Sequence, residues 1–238
     1  MQTALAPTIA TAKPRQVPPL ENGARLGATE FLRRYECSPH VRKAELIDNI
    51  VYLMLLPLRI DEHGAPDALV QTWLGNYAIA TTGVQHAVNT TVKLGPDDTP
   101  QPDGLLRLLP EYGGKTRVDE DGYLAGPPEL VVEVAASSAS IDVHGKLNSY
   151  RRAGVREYLV WRTEDAAVDW WQLVEDEYRP LSAGDDGLLR SAVFPGLWLD
   201  ASALLANDGV RLLAALSQGL ASPEHLAWVA ELRRRRGG

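Results

Sequence analysis

One short segment in the middle of the chain, residues 129–135, constrains the fold more than any other. Its sequence, Glu-Leu-Val-Val-Glu-Val-Ala, is nearly continuous in apolar side chains and is bounded by Pro127-Pro128 and Ser137-Ser138. Such a run is typical of a strand that is buried on both faces in the middle of a sheet. We therefore predict an α/β fold built on a central sheet, with Glu133 near the end of its buried strand.

A carboxylate on a buried strand costs several kcal/mol unless its charge is compensated. A divalent cation would supply that compensation, and a second acid, Asp103, precedes the strand in the stretch Gln101-Pro102-Asp103-Gly104. Mg²⁺ takes oxygen ligands and needs only one or two protein carboxylates, because it keeps several waters and binds substrate phosphate. We predict that Asp103 and Glu133 hold Mg²⁺ (or Mn²⁺), with the Val134 carbonyl as a third oxygen ligand. The alternatives are a simple Pro-Asp-Gly turn at Asp103 and an exposed strand end at Glu133.

A helix that follows the buried strand brings a lysine toward these acids. Ser140 can cap this helix and Gly154 can end it. Asp142, Lys146 and Tyr150 are spaced i, i+4, i+8 and therefore share one helix face. In a metal site, Lys146 would orient the attacking water or stabilise charge on the phosphate oxygens. The alternative is a solvated Asp142–Lys146 pair that contributes roughly a few tenths of a kcal/mol.

Periodicity and turn residues place the remaining elements. We predict helices over residues 29–35 and 65–78, and a hairpin over residues 43–56 that turns at Asp48-Asn49. Further strands are predicted over residues 84–94, 103–109 and 156–161, and a C-terminal β-meander over residues 168–174, 177–181 and 188–194. Two helices close the chain, and the last begins at Ser222-Pro223, a cap followed by proline at the first helical position.

The composition bounds the class of protein. We predict a disordered leader over residues 1–24, one folded domain over residues 25–200 and a helical extension over residues 201–238. The single cysteine, Cys37, cannot form an internal disulfide, and the longest apolar run, residues 50–58, is too short to cross a bilayer. We therefore predict a cytoplasmic protein without a membrane segment. The net charge of −7 counts against a nucleic-acid partner, since such binding depends largely on basic residues.

Several stretches in a fixed order carry a resemblance to a known family. They are Glu45-Leu46-Ile47-Asp48, Gln101-Pro102-Asp103, residues 128–134, the set Asp142, Lys146 and Tyr150, and residues 154–160. Together they resemble a family abundant in bacterial genomes, the putative restriction endonucleases, which belongs to the PD-(D/E)xK nuclease superfamily. The resemblance covers roughly residues 31–199. It implies a restriction-endonuclease-like fold, with a central mixed β-sheet flanked by helices, and a Mg-dependent phosphodiesterase site in residues 25–200.

The resemblance also implies roles for individual residues. Asp103 and Glu133 correspond to the family's metal acids, and Glu45 corresponds to an acid on an early element that often completes the site. The superfamily's lysine normally lies two residues after the second acid, but that position is Ala135 here. The resemblance therefore implies that Lys146 serves as the catalytic lysine from the next helix.

The function predicted from these residues is a metal-dependent DNA endonuclease of restriction type, acting as a homodimer because two strands must be cut. The missing lysine at Ala135 and the acidic charge leave a second interpretation open, a catalytically inactive nuclease fold that binds nucleic acid or protein. An exonuclease or ribonuclease with the same site is a third interpretation. His63 could approach the site, whereas the basic block of residues 233–236 is predicted to be a solvated tail.

Overall fold

The computed structural model of the protein describes residues 17–54, 57, 59–136 and 141–236, without the side chains of residues 141–143. Most of the predicted leader, residues 1–16, and the predicted helix cap Ser140 lie outside these described residues. Residues 17–24 belong to the described part, where Leu20 is buried in an apolar cluster with Phe31 and Leu46.

Runs of strands are separated by single helices, and three helices close the chain. The strands are β1 (Ala44–Ile47), β2 (Ile50–Leu53), β3 (Val84–Val88), β4 (Val92–Lys93), β5 (Gly104–Leu108), β6 (Arg117–Val118), β7 (Leu124–Ala125), β8 (Leu130–Ala135), β9 (Glu157–Arg162), β10 (Ala167–Val174), β11 (Glu177–Pro180), β12 (Leu189–Arg190) and β13 (Trp198–Leu199). The α-helices are α1 (Ala28–Glu36), α2 (Ala65–Ala80), α3 (Leu147–Ala153), α4 (Ala201–Leu205), α5 (Gly209–Leu220) and α6 (Pro223–Arg236). Two π-helical segments lead directly into α2 and α3, Ile60–Gly64 and Ile141–Lys146. Within the described residues, no helix combines the length and the apolar character that a bilayer span requires.

Six strands form the central sheet, in the order β11-β10-β9-β8-β5-β3. The strand β8 pairs parallel with β9 and antiparallel with β5, so the sheet is mixed. Every residue of β8 is buried. The prediction of a central strand buried on both faces is therefore confirmed, as is the α/β fold with a mixed sheet flanked by helices.

The side chains of β8 alternate between the two faces of the sheet. One set packs in the largest apolar core, together with residues of α2 and the C-terminal helices; it comprises Leu130, Val132 and Val134. Val131 and Ala135 pack on the opposite face, in a cluster that includes Tyr150 of α3. Glu133 falls between Val131 and Ala135 in this alternation, so its side chain projects toward the face that α3 covers.

The β1–β2 hairpin turns at Asp48 and Asn49, as predicted. These residues have φ angles of 51° and 62°, the left-handed conformation that a two-residue hairpin turn demands. The Leu46 N–H donates to the Thr99 carbonyl, and the Thr99 N–H donates to the Leu46 carbonyl. The hairpin is thereby tied to the segment that leads to Asp103.

Two predicted strands are shorter in the structure. The strand predicted over residues 84–94 ends at Val88, because Asn89 has a φ angle of 47° and turns the chain, and β4 joins a separate three-stranded sheet. The strand predicted over residues 188–194 is reduced to β12. Here the Ser191 hydroxyl accepts hydrogen bonds from the Val193 and Phe194 N–H groups and holds the chain in a turn. The other meander strands, β10 and β11, form as predicted and extend the central sheet.

Three C-terminal helices form where two are predicted. The Asp200 carboxylate caps α4 by accepting a hydrogen bond from the Ala203 N–H, and Asn207, with a φ angle of 53°, separates α4 from α5. The helix α6 begins at Pro223 as predicted, and the Ser222 hydroxyl accepts a hydrogen bond from the His225 N–H. Apolar residues of α5 and α6 belong to the same core as those of α2.

Candidate active site

Asp103 and Glu133 lie side by side at one end of the β5–β8 pair. Gly104 is paired with Val132 across these antiparallel strands, which places Asp103 opposite Glu133 one step further on. The Asp103 N–H contacts Glu133 Oε2 at 3.4 Å, and the Val134 N–H donates to Asp103 Oδ2 at 2.8 Å. Both acids are almost fully buried, with exposed fractions of 4% and 2%. The structure therefore brings together the two acids that the sequence analysis assigns to a metal.

Glu45 reaches the same cluster from β1. Its Oε1 accepts a hydrogen bond from the Gln101 N–H at 2.7 Å, and its Oε2 lies 2.8 Å from Lys146 Nζ. Glu45 is also buried. The third predicted acid thus joins the site through Lys146, while its second oxygen holds the segment that leads to Asp103.

Lys146 reaches the acids from the last residue of the π-helical segment before α3. Its Nζ lies 3.0 Å from Glu133 Oε1, so the ammonium group bridges Glu133 and Glu45. Tyr150, one turn later, donates its hydroxyl to the same Glu133 oxygen at 3.0 Å. The Asp142 side chain lies outside the described residues. Lys146 therefore contacts the acids from the next helix, while Ala135 occupies the superfamily's usual lysine position.

The Val134 main chain also faces the cluster. In a strand, the N–H and C=O groups of one residue point to the same side. Because the Val134 N–H donates to Asp103, the Val134 carbonyl lies on the Asp103 side of β8 as well. A carbonyl oxygen is therefore available beside the two carboxylates.

Lys43 is a site residue that the sequence analysis does not identify. It directly precedes β1, and its Nζ lies 2.7 Å from Asp103 Oδ1. Its spacing of two from Glu45 is the signal that could reveal it, because alternate residues of an extended segment point to the same face. The segment around β1 thus supplies both an acid and a cation to the cluster.

One face of the helical segment that enters α2 borders Asp103. His63, Asp67 and Gln71 follow one another at four-residue spacing and therefore share this face. The Gln71 side chain donates to the Asp103 carbonyl at 3.0 Å and to Asp67 Oδ1 at 2.6 Å. His63 Nε2 lies 3.7 Å from Asp103 Oδ2, which is longer than a hydrogen bond but within ion-pair distance. His63 approaches the site, as the sequence allows, whereas no motif points to Gln71.

Gly104 allows this helix to come close to β5. A Cβ atom at that position would lie 2.9 Å from Gln71 Oε1 and 3.0 Å from Leu74 Cδ1. A side chain at Gly104 would therefore displace the ends of the Gln71 and Leu74 side chains. The glycine after Asp103 serves the packing that lets Gln71 hold the Asp103 main chain.

The charged groups of the cluster shift one another's protonation. Burial alone would raise the pKa of Asp103, but His63 and the charges of Lys43 and Lys146 hold that pKa below its ordinary value. Burial also opposes the charge of Lys43, yet the nearby carboxylates, that of Asp103 first, raise the pKa of Lys43. The Asp103 contact raises the pKa of His63. Asp103 is therefore ionised and Lys43 charged at neutral pH.

The donor atoms suit a hard cation such as Mg²⁺. Asp103 and Glu133 offer carboxylate oxygens and Val134 offers a carbonyl oxygen, and Mg²⁺ needs no more than one or two protein carboxylates. Among the residues that the structure describes, no three His, Cys, Asp or Glu side chains are grouped as a cage for a metal ion. The donor set therefore matches a two-carboxylate site that water and substrate complete, rather than a cage of four protein ligands.

Comparisons with known proteins identify the family. The sequence model of the Uma2 family, described as "Putative restriction endonuclease", matches residues 28–202. A solved structure of a putative nuclease belonging to DUF820, from Anabaena variabilis ATCC 29413, is similar in fold, with a TM-score of 0.54, 14% sequence identity, and coverage of 74% of this chain and 97% of that chain. No curated protein matches the chain significantly. Because the family match spans well over half of the sequence and includes every site residue described above, this chain belongs to the Uma2 family of putative restriction endonucleases.

Proposed function

We propose that this chain is a metal-dependent DNA endonuclease of restriction type. Its proposed active site, which hydrolyses phosphodiester bonds, consists of Glu45, Asp103, Glu133 and Lys146. The family and the nuclease-like fold support nuclease activity in general. The observation that carries the proposal is the approach of Asp103 to Glu133 at the end of the β5–β8 pair, with the Lys146 ammonium 3.0 Å from Glu133. Two acids with a lysine beside them are suited to metal-assisted phosphodiester hydrolysis.

Asp103, Glu133 and the Val134 carbonyl would hold Mg²⁺ (or Mn²⁺). When bound, this ion would polarise the scissile phosphate and lower the pKa of an attacking water. The Asp103 carboxylate is held by the Val134 N–H, and the Asp103 main chain is held by Gln71. Donor groups that are fixed before the substrate binds do not have to reorganise during the reaction.

Lys146 would stabilise charge on the phosphate oxygens or orient the attacking water. Its ammonium group is already directed at Glu133, and Glu45 holds it from the other side at 2.8 Å. Glu45 is itself fixed by the Gln101 N–H. Because Lys146 and Glu45 are both buried, their electrostatic interactions are stronger than they would be in water. Glu45 is thus a positioning residue for Lys146 in this proposal.

The proposed substrate is DNA, and the proposed acting form is a homodimer in the cytoplasm. Residues 25–200 would form the nuclease-like domain and residues 201–238 a helical extension. An acidic chain can still bind DNA through a local basic patch, so the net charge of −7 does not exclude this substrate. The arginines that end α6 lie away from the candidate active site, because Arg235 and Arg236 hydrogen-bond to Tyr112, which follows the end of β5 opposite to Asp103.

One observation favours a second function, a catalytically inactive nuclease fold that binds nucleic acid or protein. All the carboxylate oxygens of Asp103 and Glu133 accept hydrogen bonds from other groups of the protein; the donors are Lys43, Lys146, the Tyr150 hydroxyl and the N–H groups of Asp103 and Val134. A network closed in this way stabilises the fold without a metal. The two functions differ in whether a divalent cation can open the network.

A cleavage assay separates them. Supercoiled plasmid and end-labelled linear DNA are incubated with the protein and Mg²⁺ or Mn²⁺, beside Glu133→Ala. We expect metal-dependent nicking of the closed circle by the wild type and none by the variant. Loss of label from linear DNA without opening of the circle would indicate an exonuclease, and cleavage of a matched RNA instead of DNA would indicate a ribonuclease. DNA binding without cleavage of any substrate would favour the inactive fold.

A further inference from the structure

The two lysines of the site differ in how far they are enclosed. The Lys146 side chain is 5% exposed, and its ammonium group is held between Glu45 and Glu133. The Lys43 side chain is 20% exposed, and among the residues that the structure describes it forms an ion pair with one carboxylate, that of Asp103. Lys43 therefore lies on the open side of the cluster and Lys146 on its closed side.

His63 marks the same open side. Its side chain is 18% exposed and its Nε2 lies 3.7 Å from Asp103 Oδ2. Both of the more exposed basic groups therefore lie next to Asp103. A phosphate group that approaches the cluster from solvent would meet Asp103, Lys43 and His63 before it meets Lys146.

The position of Lys43 conflicts with metal binding at Asp103. The Asp103 Oδ2 atom accepts the Val134 N–H, and the Oδ1 atom accepts the Lys43 ammonium group. A divalent cation at Asp103 must bind one of these oxygens, and the Lys43 ammonium group, 2.7 Å from Oδ1, would repel a cation there. The Lys43 contact is the easier one to give up, because a lysine stem is flexible and this one is partly exposed, whereas Val134 is fixed in β8. Lys43 thus occupies the place of a cation on Asp103.

The charges of the cluster indicate which group Lys43 could contact after a divalent cation displaces it from Asp103. Among the side chains that the structure describes, the carboxylates of Glu45, Asp103 and Glu133 face the ammonium groups of Lys43 and Lys146, which leaves one negative charge. His63 and Asp67 carry opposite charges when both are ionised and leave this balance unchanged. A divalent cation would turn the balance to one positive charge, which the single negative charge of a phosphodiester would neutralise.

We propose that Lys43 neutralises Asp103 in the metal-free protein, leaves it when a divalent cation binds, and then contacts a non-bridging oxygen of the substrate phosphate. The inference rests on the proposed function and adds to it a substrate-binding residue and an order of events. A lysine suits this exchange because its compact ammonium group pairs with carboxylate and phosphate alike. The site then holds a DNA phosphate more tightly when metal is present.

Metal binding without DNA tests the first half of the proposal. Lys43→Met removes the ammonium group and keeps an unbranched side chain, whereas Lys115→Met removes the same charge at an exposed lysine beyond the opposite end of β5. Calorimetric titration with Mn²⁺ should show binding on the order of tenfold tighter in Lys43→Met than in the wild type, because the competing ion pair is gone. Lys115→Met should match the wild type. An unchanged Mn²⁺ affinity in Lys43→Met would overturn the displacement.

DNA binding tests the second half. The anisotropy of a short fluorescein-labelled duplex is measured at fixed ionic strength in EDTA and in Ca²⁺. Lys43→Met should bind DNA on the order of tenfold more weakly than the wild type in Ca²⁺ and only slightly more weakly in EDTA, since the phosphate contact is lost only in Ca²⁺. Lys43→Arg, which keeps the charge and serves if Lys43→Met does not fold, should recover much of the loss.

The remaining outcomes identify which part fails. Equal weakening in EDTA and in Ca²⁺ would overturn the metal-dependent exchange, and no weakening in either would make Lys43 a structural partner of Asp103. A wild-type protein that neither binds nor cleaves DNA would refute the proposed function and the phosphate contact together. The Mn²⁺ titration would still decide whether Lys43 and the metal compete.

Discussion

Glu133 and Glu157 are buried acids on neighbouring strands, but their partners differ in kind. They lie on the parallel pair β8 and β9, with exposed fractions of 2% and 0%. Glu133 pairs with the Lys146 ammonium and lies beside Asp103. The hydrogen-bond donors that the structure places on Glu157 are neutral groups, namely the Ser191 hydroxyl and the N–H groups of Ala192 and Val193.

This difference shows that a buried acid in an apolar strand does not by itself indicate catalysis. Burial raises the pKa of Glu157 to about 7, although its three neutral donors act in the opposite direction. The structural effect of those donors is to attach residues 191–193 to the sheet. Glu133, in contrast, lies where charged groups converge from β1, β5 and the helix before α3. The convergence of charged groups from distant segments therefore distinguishes Glu133, in the candidate active site, from Glu157, which attaches a loop to the sheet.

The sharpest test of this contrast is a matched pair of substitutions, Glu133→Gln and Glu157→Gln. If Glu133 holds a metal, its loss removes several kcal/mol of transition-state stabilisation, so DNA cleavage should fall by about a thousandfold or more. Glu157→Gln should cleave at nearly the wild-type rate, because Glu157 contacts a structural loop. Initial rates of plasmid nicking in Mg²⁺ measure both. Equal losses of cleavage rate in the two variants would mean that Glu133 has no catalytic role that Glu157 lacks.

Much of the fold could be predicted from local sequence patterns. The apolar run that forms β8, the Asp48-Asn49 turn and the start of α6 at Pro223 all follow from neighbouring residues. The prediction of a strand over residues 188–194 is wrong because of a contact with a residue that is distant in the chain. Ser191 takes part in a turn and donates its hydroxyl to Glu157, 34 positions away in the chain, and no local pattern reports that contact.

The residues of the candidate site also fall into two groups, those that the sequence predicts and those that depend on tertiary packing. The buried acid and the helix that follows it predict Asp103, Glu133 and Lys146, and the family resemblance adds Glu45. The structure places these four residues together. Lys43 lies outside that set of motifs, and the Gln71 contact with the Asp103 carbonyl depends on how closely α2 packs at Gly104. Side chains that act through tertiary packing leave little trace in a single sequence.

The pH dependence of stability offers a second test of the contrast. Folded Glu157 has a pKa of about 7, above the ordinary value of 4.5, so between these values the folded state holds a proton that the unfolded state has lost. Stability therefore falls as pH rises through this window, by roughly 3 kcal/mol from this group. Urea unfolding at pH 5 and pH 8 should show that fall in the wild type, reduced by about this amount in Glu157→Gln.

His63, whose pKa is also raised, shifts stability in the same direction, and the comparison of the two proteins cancels its contribution. If the free energy of unfolding depends on pH identically in the wild type and in Glu157→Gln, the neutral donors stabilise the Glu157 carboxylate as fully as Lys146 stabilises the Glu133 carboxylate.

Lys146 supplies the next test, because it forms a salt bridge with Glu133, and among the described residues Glu157 has none. Lys146→Ala should reduce cleavage by about a hundredfold, through lost stabilisation of charge on the phosphate, while Mn²⁺ binding persists because lysine is not a metal ligand. Lys146→Arg should restore little, since a planar guanidinium does not reproduce a compact ammonium. Lys146→Gln serves if the alanine variant loosens the fold. Full cleavage by a folded Lys146 variant would reduce Lys146 to a structural partner of Glu45 and Glu133.

The smallest expected effect comes from removing one hydroxyl donor from each of the two acids. Ser191→Ala removes a donor to Glu157, and Tyr150→Phe removes a donor to Glu133. A hydrogen bond to an ionised group contributes more than one to a neutral group, by about 1 kcal/mol. Ser191→Ala should therefore destabilise the protein by about 1 kcal/mol more at pH 8, where Glu157 is ionised, than at pH 5, where it is protonated.

Ser191 also accepts hydrogen bonds from Val193 and Phe194, but their loss weighs equally at both pH values and leaves the difference unaffected. Tyr150→Phe should show no such difference between pH 5 and pH 8, because the Lys146 ammonium group donates to the same Glu133 oxygen and remains in the variant. Urea unfolding of the two variants at both pH values measures this. A pH-dependent cost in Tyr150→Phe equal to that in Ser191→Ala would mean that the Lys146 ammonium group does not set Glu133 apart from Glu157. The two acids would then differ in position alone.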